Sequence, residues 1–112
     1  MSTPEKTFEN KVKRYLESVG VYGLGTPRDK MEADPVGYYE KRWGGMFTKS
    51  GLPDLHICIH GRSIEVELKA EKGRVSDIQR FMMNQINVAG GNAILLYPAD
   101  FEKFKGLIQN YL

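Results

Sequence analysis

The sequence predicts a single α/β domain in which a β-hairpin joins a central mixed sheet flanked by helices. Three observations predict it. Between Asp54 and Lys69, apolar and polar residues alternate along two short runs on either side of a tight turn, the pattern of a half-buried antiparallel hairpin. Two stretches, opening at Pro4 and after Ser76, carry apolar residues at helical spacing between capping signals. A short, almost wholly apolar run, Ala93 to Tyr97, follows the second of them. It is expected as a central strand covered on both faces and reached by a helical crossover.

Ser2 and Thr3 are the N-cap candidates of the first helix, Pro4 suits its first turn and Glu5 favours the positive end of the helix dipole. Phe8, Val12, Tyr15, Leu16 and Val19 then fall on one stripe until Gly20 supplies a stop. At about 100° per residue Glu9 lies just past the Leu16 edge of that stripe, at the border of the core, whereas Glu5 and Glu17 are expected to point to water. Val21 to Ser50 is the least legible stretch, with Tyr38 to Phe47 reading as a short helix or an edge strand. Ser76 and Gln79 form a capping box, and Ile78, Phe81, Met82, Gln85, Ile86 and Ala89 mark a stripe ending at Gly90 and Gly91. Pro98 ends the apolar run, Asp100 can cap a last helix, and Phe101, Phe104, Ile108 and Tyr111 give that helix an apolar face.

In the hairpin, Leu55, Ile57 and Ile59 alternate along the first run and Ile64, Val66 and Leu68 along the second. With Gly61 and Arg62 as the loop, Glu67 faces His56 and Lys69 faces Asp54; a four-residue loop closed by Ile59 and Ile64 gives the same pairing. Opposed residues share a face, so Asp54, Glu67 and Lys69 are expected on one side and the six apolar residues on the other. A one-residue slip would turn Glu67 and Lys69 into the core, against the cost of burying charge. This Asp-then-Glu-x-Lys spacing gathers two carboxylates and an ammonium, the groups a metal-dependent nuclease needs. Hard cations such as Mg²⁺ or Mn²⁺ prefer oxygen ligands, and the lysine adds a fixed positive charge beside a phosphate. His56 and His60 alternate onto the same face, but their spacing separates them by about 13 Å, too far to share one ion.

A chain of 112 residues is expected as one domain, with little room for accessory elements. Sixteen basic against fourteen acidic residues give a formal charge of +2, too mild a balance to indicate a nucleic-acid binder alone, so local placement of charge must carry that argument. The single cysteine, Cys58, lies in a predicted strand, which excludes a disulfide framework and a thiolate metal site and fits a reduced setting. No apolar run approaches the roughly 18 residues of a membrane span. The expectation is a soluble, cytoplasmic protein with no membrane partner and no organic cofactor.

Basic residues occur where a phosphate backbone could be followed. Tyr38, Tyr39, Lys41, Arg42, Trp43 and Lys49 interleave cations with aromatic rings, a pattern that serves strand binding and equally a loop whose rings plug the core. Within it Lys41, Arg42 and Lys49 are the candidates for phosphate contact. Lys72 and Arg74, in the connector after Lys69, are two more.

Gly51, Pro53 and Asp54, then Glu67, Leu68 and Lys69, then Gln79 in a helix and the Gly90–Gly91 pair before an apolar strand resemble the VRR-NUC domain of the PD-(D/E)xK nuclease superfamily. The resemblance covers Phe8 to Tyr97, and its specificity lies in the ordered combination. It implies a restriction-endonuclease-like core in which Glu9 joins Asp54 and Glu67 as metal ligands, with the Leu68 carbonyl as a further ligand. It also implies that Lys69 positions the water or the scissile phosphate and that Gln79 supports the site. Thr26 to Gly45 does not align with that pattern. Small stand-alone members look like phage or mobile-element nucleases that act as homodimers on branched DNA, notably four-way (Holliday) junctions. For this chain the resemblance implies a Mg²⁺- or Mn²⁺-dependent endodeoxyribonuclease, with Phe101 to Leu112 as a candidate dimer interface. The rival readings are a non-catalytic DNA-binding or scaffold domain of the same fold, which would be expected to lack a carboxylate or the lysine, and a flap or end-processing nuclease.

Overall fold

The Thr3 side chain accepts a hydrogen bond from the Lys6 N–H, and Pro4 occupies the first turn of α1 (Pro4–Ser18). In this computed structural model residues 3–43 and 50–112 are described. Behind α1 come the strands β1 (Val21–Gly23), β2 (Gly37–Lys41), β3 (Leu55–Ile59) and β4 (Arg62–Leu68). They are followed by α2 (Asp77–Val88), β5 (Ala93–Leu96) and α3 (Phe101–Gln109). The fold is α/β: a five-stranded mixed sheet, spatial order β1-β2-β3-β4-β5, flanked by helices. The outer pairs are parallel and the two inner pairs antiparallel.

One face of the sheet carries the core. Leu55, Ile57 and Ile59 of β3 and Ile64, Val66 and Leu68 of β4 are buried with Phe8, Val12 and Leu16 of α1 and Phe104 and Ile108 of α3. Each such side chain stabilises the fold by about 2 kcal/mol through burial. Edge-to-face ring pairs, Phe8 with Phe101 and Tyr15 with Phe104, lock α1 against α3 at 6.3 Å between centroids. On the other face α2 leans on β5, where the Asn87 side chain bonds both the N–H and the C=O of Ala93. The Ser76–Gln79 capping box forms as expected, and Gly90 takes a φ of 94° behind the helix.

Several expectations change. The hairpin turns at His60 and Gly61, φ 48° and 80°, which is a type I′ turn, with Ile59 paired to Arg62. His60 is therefore a turn residue. The register moves by two, so His56 pairs with Glu65 and the ladder continues toward Asp54 opposite Glu67. An even shift keeps every side chain on its expected face. The stretch after α1 supplies two strands, and β2 lies between β1 and β3, so it is an interior strand. β5, expected centrally, is an edge strand, and its Ile94 and Leu95 are only half-buried. Glu17 does not simply face water, because its Oε2 accepts from the Tyr39 hydroxyl at 2.6 Å. None of the α2 side chains is buried, although the helix has the amphipathic spacing foreseen. Phe104 and Ile108 are used in the chain's own core, which removes the inner face of α3 as an interface. Among the described residues, no helix is long and apolar enough to cross a membrane.

Candidate active site

Asp54 lies at the bend just before β3, fixed at both ends. Its carbonyl accepts from the Arg42 N–H at 2.7 Å, and its Oδ2 accepts from the Leu68 N–H at 2.9 Å. Arg42 also donates to the Pro53 carbonyl at 3.0 Å, so the approach to Asp54 is tied to the end of β2. Across the ladder, strand alternation turns Glu67 away from the core that takes Val66 and Leu68. The first turn of α2 covers it, leaving the residue 1% exposed.

Glu67, Lys69 and Gln79 form a closed network. Glu67 Oε2 accepts from Gln79 Nε2 at 2.9 Å and lies 3.2 Å from Lys69 Nζ. Gln79 Oε1 accepts from Lys69 Nζ at 2.9 Å and from the Ser76 N–H at 3.0 Å. The glutamine thus caps its helix and holds carboxylate and ammonium together. Glu67 Oε1 is buried with no hydrogen-bond partner among the described residues. Burial, then the negative charge of Asp54, push the Glu67 carboxyl up to about 7, against the opposing pull of Lys69. A protonated Glu67 can hydrogen-bond with Asp54; an ionised one leaves two carboxylates beside one ammonium and an oxygen without a donor.

That arrangement fits a hard divalent cation. A cation at Asp54 and Glu67 would satisfy the orphaned oxygen and offset the excess negative charge, and oxygen-only ligation suits Mg²⁺ or Mn²⁺. The Leu68 carbonyl belongs to the same strand end. Glu9, which the sequence resemblance adds to the ligands, is held in a nest of lysines. Lys6 and Lys13 meet its Oε2 at 2.9 and 2.7 Å, and Lys41 meets its Oε1 at 2.9 Å. Burial would raise the Glu9 pKa, but the hydrogen bonds from the lysines win and hold it down to about 2. Among the described residues, no group of three or more His, Cys, Asp and Glu side chains is gathered for one ion.

The expected phosphate contacts divide. Lys72 and Arg74 are exposed in the connector between β4 and α2. Lys41 is held by Glu9, and Arg42 is held by Glu65 Oε2 at 2.5 Å. Lys49 lies outside the described residues. Sequence reading missed two features. Glu65 also bonds His56 Nδ1 at 2.5 Å, and the right hairpin register would have paired them. The Lys6–Glu9–Lys13 grouping was legible in its i, i+3 and i, i+4 spacing. No protein-family model, no curated protein and no solved structure matches this chain.

Proposed function

We propose that the protein is a metal-dependent, structure-selective DNA endonuclease of the VRR-NUC type within the PD-(D/E)xK superfamily, with a restriction-endonuclease-like core. The reading takes four-way junctions as its substrate and a homodimer as its working form. The observation that carries it is the convergence of Asp54, Glu67, Lys69 and Gln79 at one end of the sheet, with a buried Glu67 oxygen lacking a donor. Such a set is poorly explained by stability alone, since a buried ionised carboxylate without full pairing is unfavourable.

Asp54 and Glu67 would hold Mg²⁺ or Mn²⁺, with the Leu68 carbonyl beside them. Bound there, the cation would activate a water and neutralise charge developing on the scissile phosphate. Lys69 is anchored by Gln79 and Glu67; a phosphate bound at the cation would meet its ammonium with little reorganisation. Lys72 and Arg74 are the exposed cations through which backbone shape would be read. For the second copy, the apolar side chains α2 leaves exposed, Ile78, Phe81 and Val88, are better suited than α3.

The test is cleavage of an immobile four-way junction beside linear duplex, flap and single-stranded DNA, in Mg²⁺ or Mn²⁺, with Glu67→Ala and Lys69→Ala as controls. Symmetric nicking of the junction, lost in both variants, is the expected result. Junction binding without cutting in either metal would leave a non-catalytic DNA-binding domain. Cutting of flaps or ends would keep the active site and discard the junction.

A further inference from the structure

A second basic feature lies beyond the carboxylates. A cleft of about 530 Å³, within the roughly 300–1,000 Å³ typical of ligand pockets, is lined by Lys13, Gly23, Tyr39, Lys41 and Trp43 together with Leu24 and Glu40. Its floor is built. Glu9, 4% exposed, draws in Lys13 and Lys41 from two different elements and Lys6 from the turn below. Three ammonium groups meet three carboxylates there, Glu9, Glu40 and the Glu17 bonded to the Tyr39 hydroxyl, so the lysines are held in place by fixed negative charge. Trp43 is 67% exposed at its rim, with Lys6 Nζ and Lys41 Nζ at 5.3 and 5.7 Å from its ring. A large indole kept at the surface among preset lysines has the composition of a single-strand platform, in which phosphates meet ammonium groups and a base lies on the ring.

The cleft also lies at the same end of the sheet as the candidate active site, on the opposite face. Lys41 pairs with Leu55 in the ladder, and the next residue, Arg42, donates to the carbonyl of Asp54. A strand leaving the cleft would therefore have to pass round the end of β2, at Arg42, to reach the Asp54 side chain on the other face. We propose that this cleft binds an unpaired nucleotide of the DNA, its phosphate between Lys13 and Lys41 and its base against Trp43. Among four-way junctions, the protein would thus prefer those with unpaired nucleotides beside the cut over fully paired ones. The inference deepens the nuclease reading and rests on it for the polymer being DNA.

Trp43 is the single tryptophan of the chain, so tryptophan fluorescence reports this cleft alone. The experiment titrates the intact protein, in chelator so that nothing is cut, with an oligothymidylate, an abasic strand of the same length and a blunt duplex. Saturable quenching by the oligothymidylate, weak with the abasic strand and the duplex, is expected. In parallel, anisotropy of a labelled oligothymidylate should show binding weakened roughly tenfold in Trp43→Ala and in Lys41→Ala, and largely kept in Trp43→Phe. Absence of quenching, or equal quenching by all three ligands, overturns the proposal. So does unchanged affinity in Trp43→Ala. If junction cleavage persists without quenching, only this inference falls; if quenching persists without cleavage in any metal, only the nuclease reading falls.

Discussion

Gln79 Nε2 donates to Glu67 Oε2 at 2.9 Å from the N3 position of a capping box, so one side chain starts α2 and fixes the carboxylate beneath it. The two tasks separate by substitution. Gln79→Ala removes both and should lower stability by about 1 kcal/mol, read by urea denaturation. Gln79→Glu keeps the reach to the Ser76 N–H but sets a third carboxylate against Glu67. It should cleave the junction at least tenfold more slowly than Gln79→Ala predicts from stability alone. Equal, wild-type cleavage in both variants would leave Gln79 a helix cap and nothing more.

The two buried glutamates give opposite pH dependences. The Glu67 pKa is raised from 4.5 to about 7, so its contribution to stability is fully present below pH 4.5 and is lost as pH rises through about 7. The loss is on the order of 3 kcal/mol between about pH 5 and pH 8. The Glu9 pKa is lowered from 4.5 to about 2, so its contribution is present above pH 4.5 and is lost as pH falls toward 2. Without divalent cation, stability should peak in the weakly acidic range, and Glu67→Gln should flatten only the alkaline side. A melting temperature that keeps its alkaline decline in Glu67→Gln would assign that decline to another group.

A cation competes with the proton for the same carboxylate. Saturating Mg²⁺ or Mn²⁺ should therefore raise the melting temperature more at about pH 8, where Glu67 is ionised, than at about pH 5.5, where it holds its proton. Asp54→Asn and Glu67→Gln should each abolish the difference. An equal rise at both pH values, surviving in both variants, would locate binding elsewhere on the chain.

How much of this was legible depended on which physical signal each element carries. Caps and stripes are local, so α1, α2 and α3 could be read from Pro4, Ser76 with Gln79, and Phe104 with Ile108. Strand alternation is local too, which is why Asp54, Glu67 and Lys69 were assigned the right face although the register was off by two. The register itself hangs on a turn whose first residue, His60, has φ 48°, a conformation that non-glycine residues rarely adopt even though histidine is among those enriched there. Strand order is not local at all. β5 looks like a central strand because it is apolar throughout, yet its outer edge is served by Asn87 instead of a neighbouring strand. Glu9 was placed correctly near the core, but its three lysines come partly from β2, the stretch whose elements were unreadable.

The turn offers a direct check on that register. Both central φ values are positive, and Asn-Gly is the favoured pair for such a turn, so His60→Asn should stabilise the fold by about 0.5 kcal/mol. Gly61→Ala should cost about 1 kcal/mol or more. A Cβ on Gly61 meets nothing within 4 Å, so that loss is backbone strain alone. Denaturation midpoints of the two variants moving in the same direction would contradict a two-residue loop at His60–Gly61.

The exposed stripe of α2 separates folding from assembly. Phe81 is 55% exposed and Val88 79%, and no residue of the helix is buried, so Phe81→Glu removes little intramolecular packing. Its stability should stay within about 0.5 kcal/mol of the parent chain. A charge at the centre of an isologous interface appears twice, facing itself across the two-fold, and should convert a dimer into a monomer at micromolar concentration in sedimentation velocity. Junction nicking by the monomer should lose its symmetry while each Asp54–Glu67 site keeps its own chemistry. A dimer undisturbed by Phe81→Glu would move the interface off α2, and a monomeric parent chain that still cuts both strands symmetrically would remove the need for one.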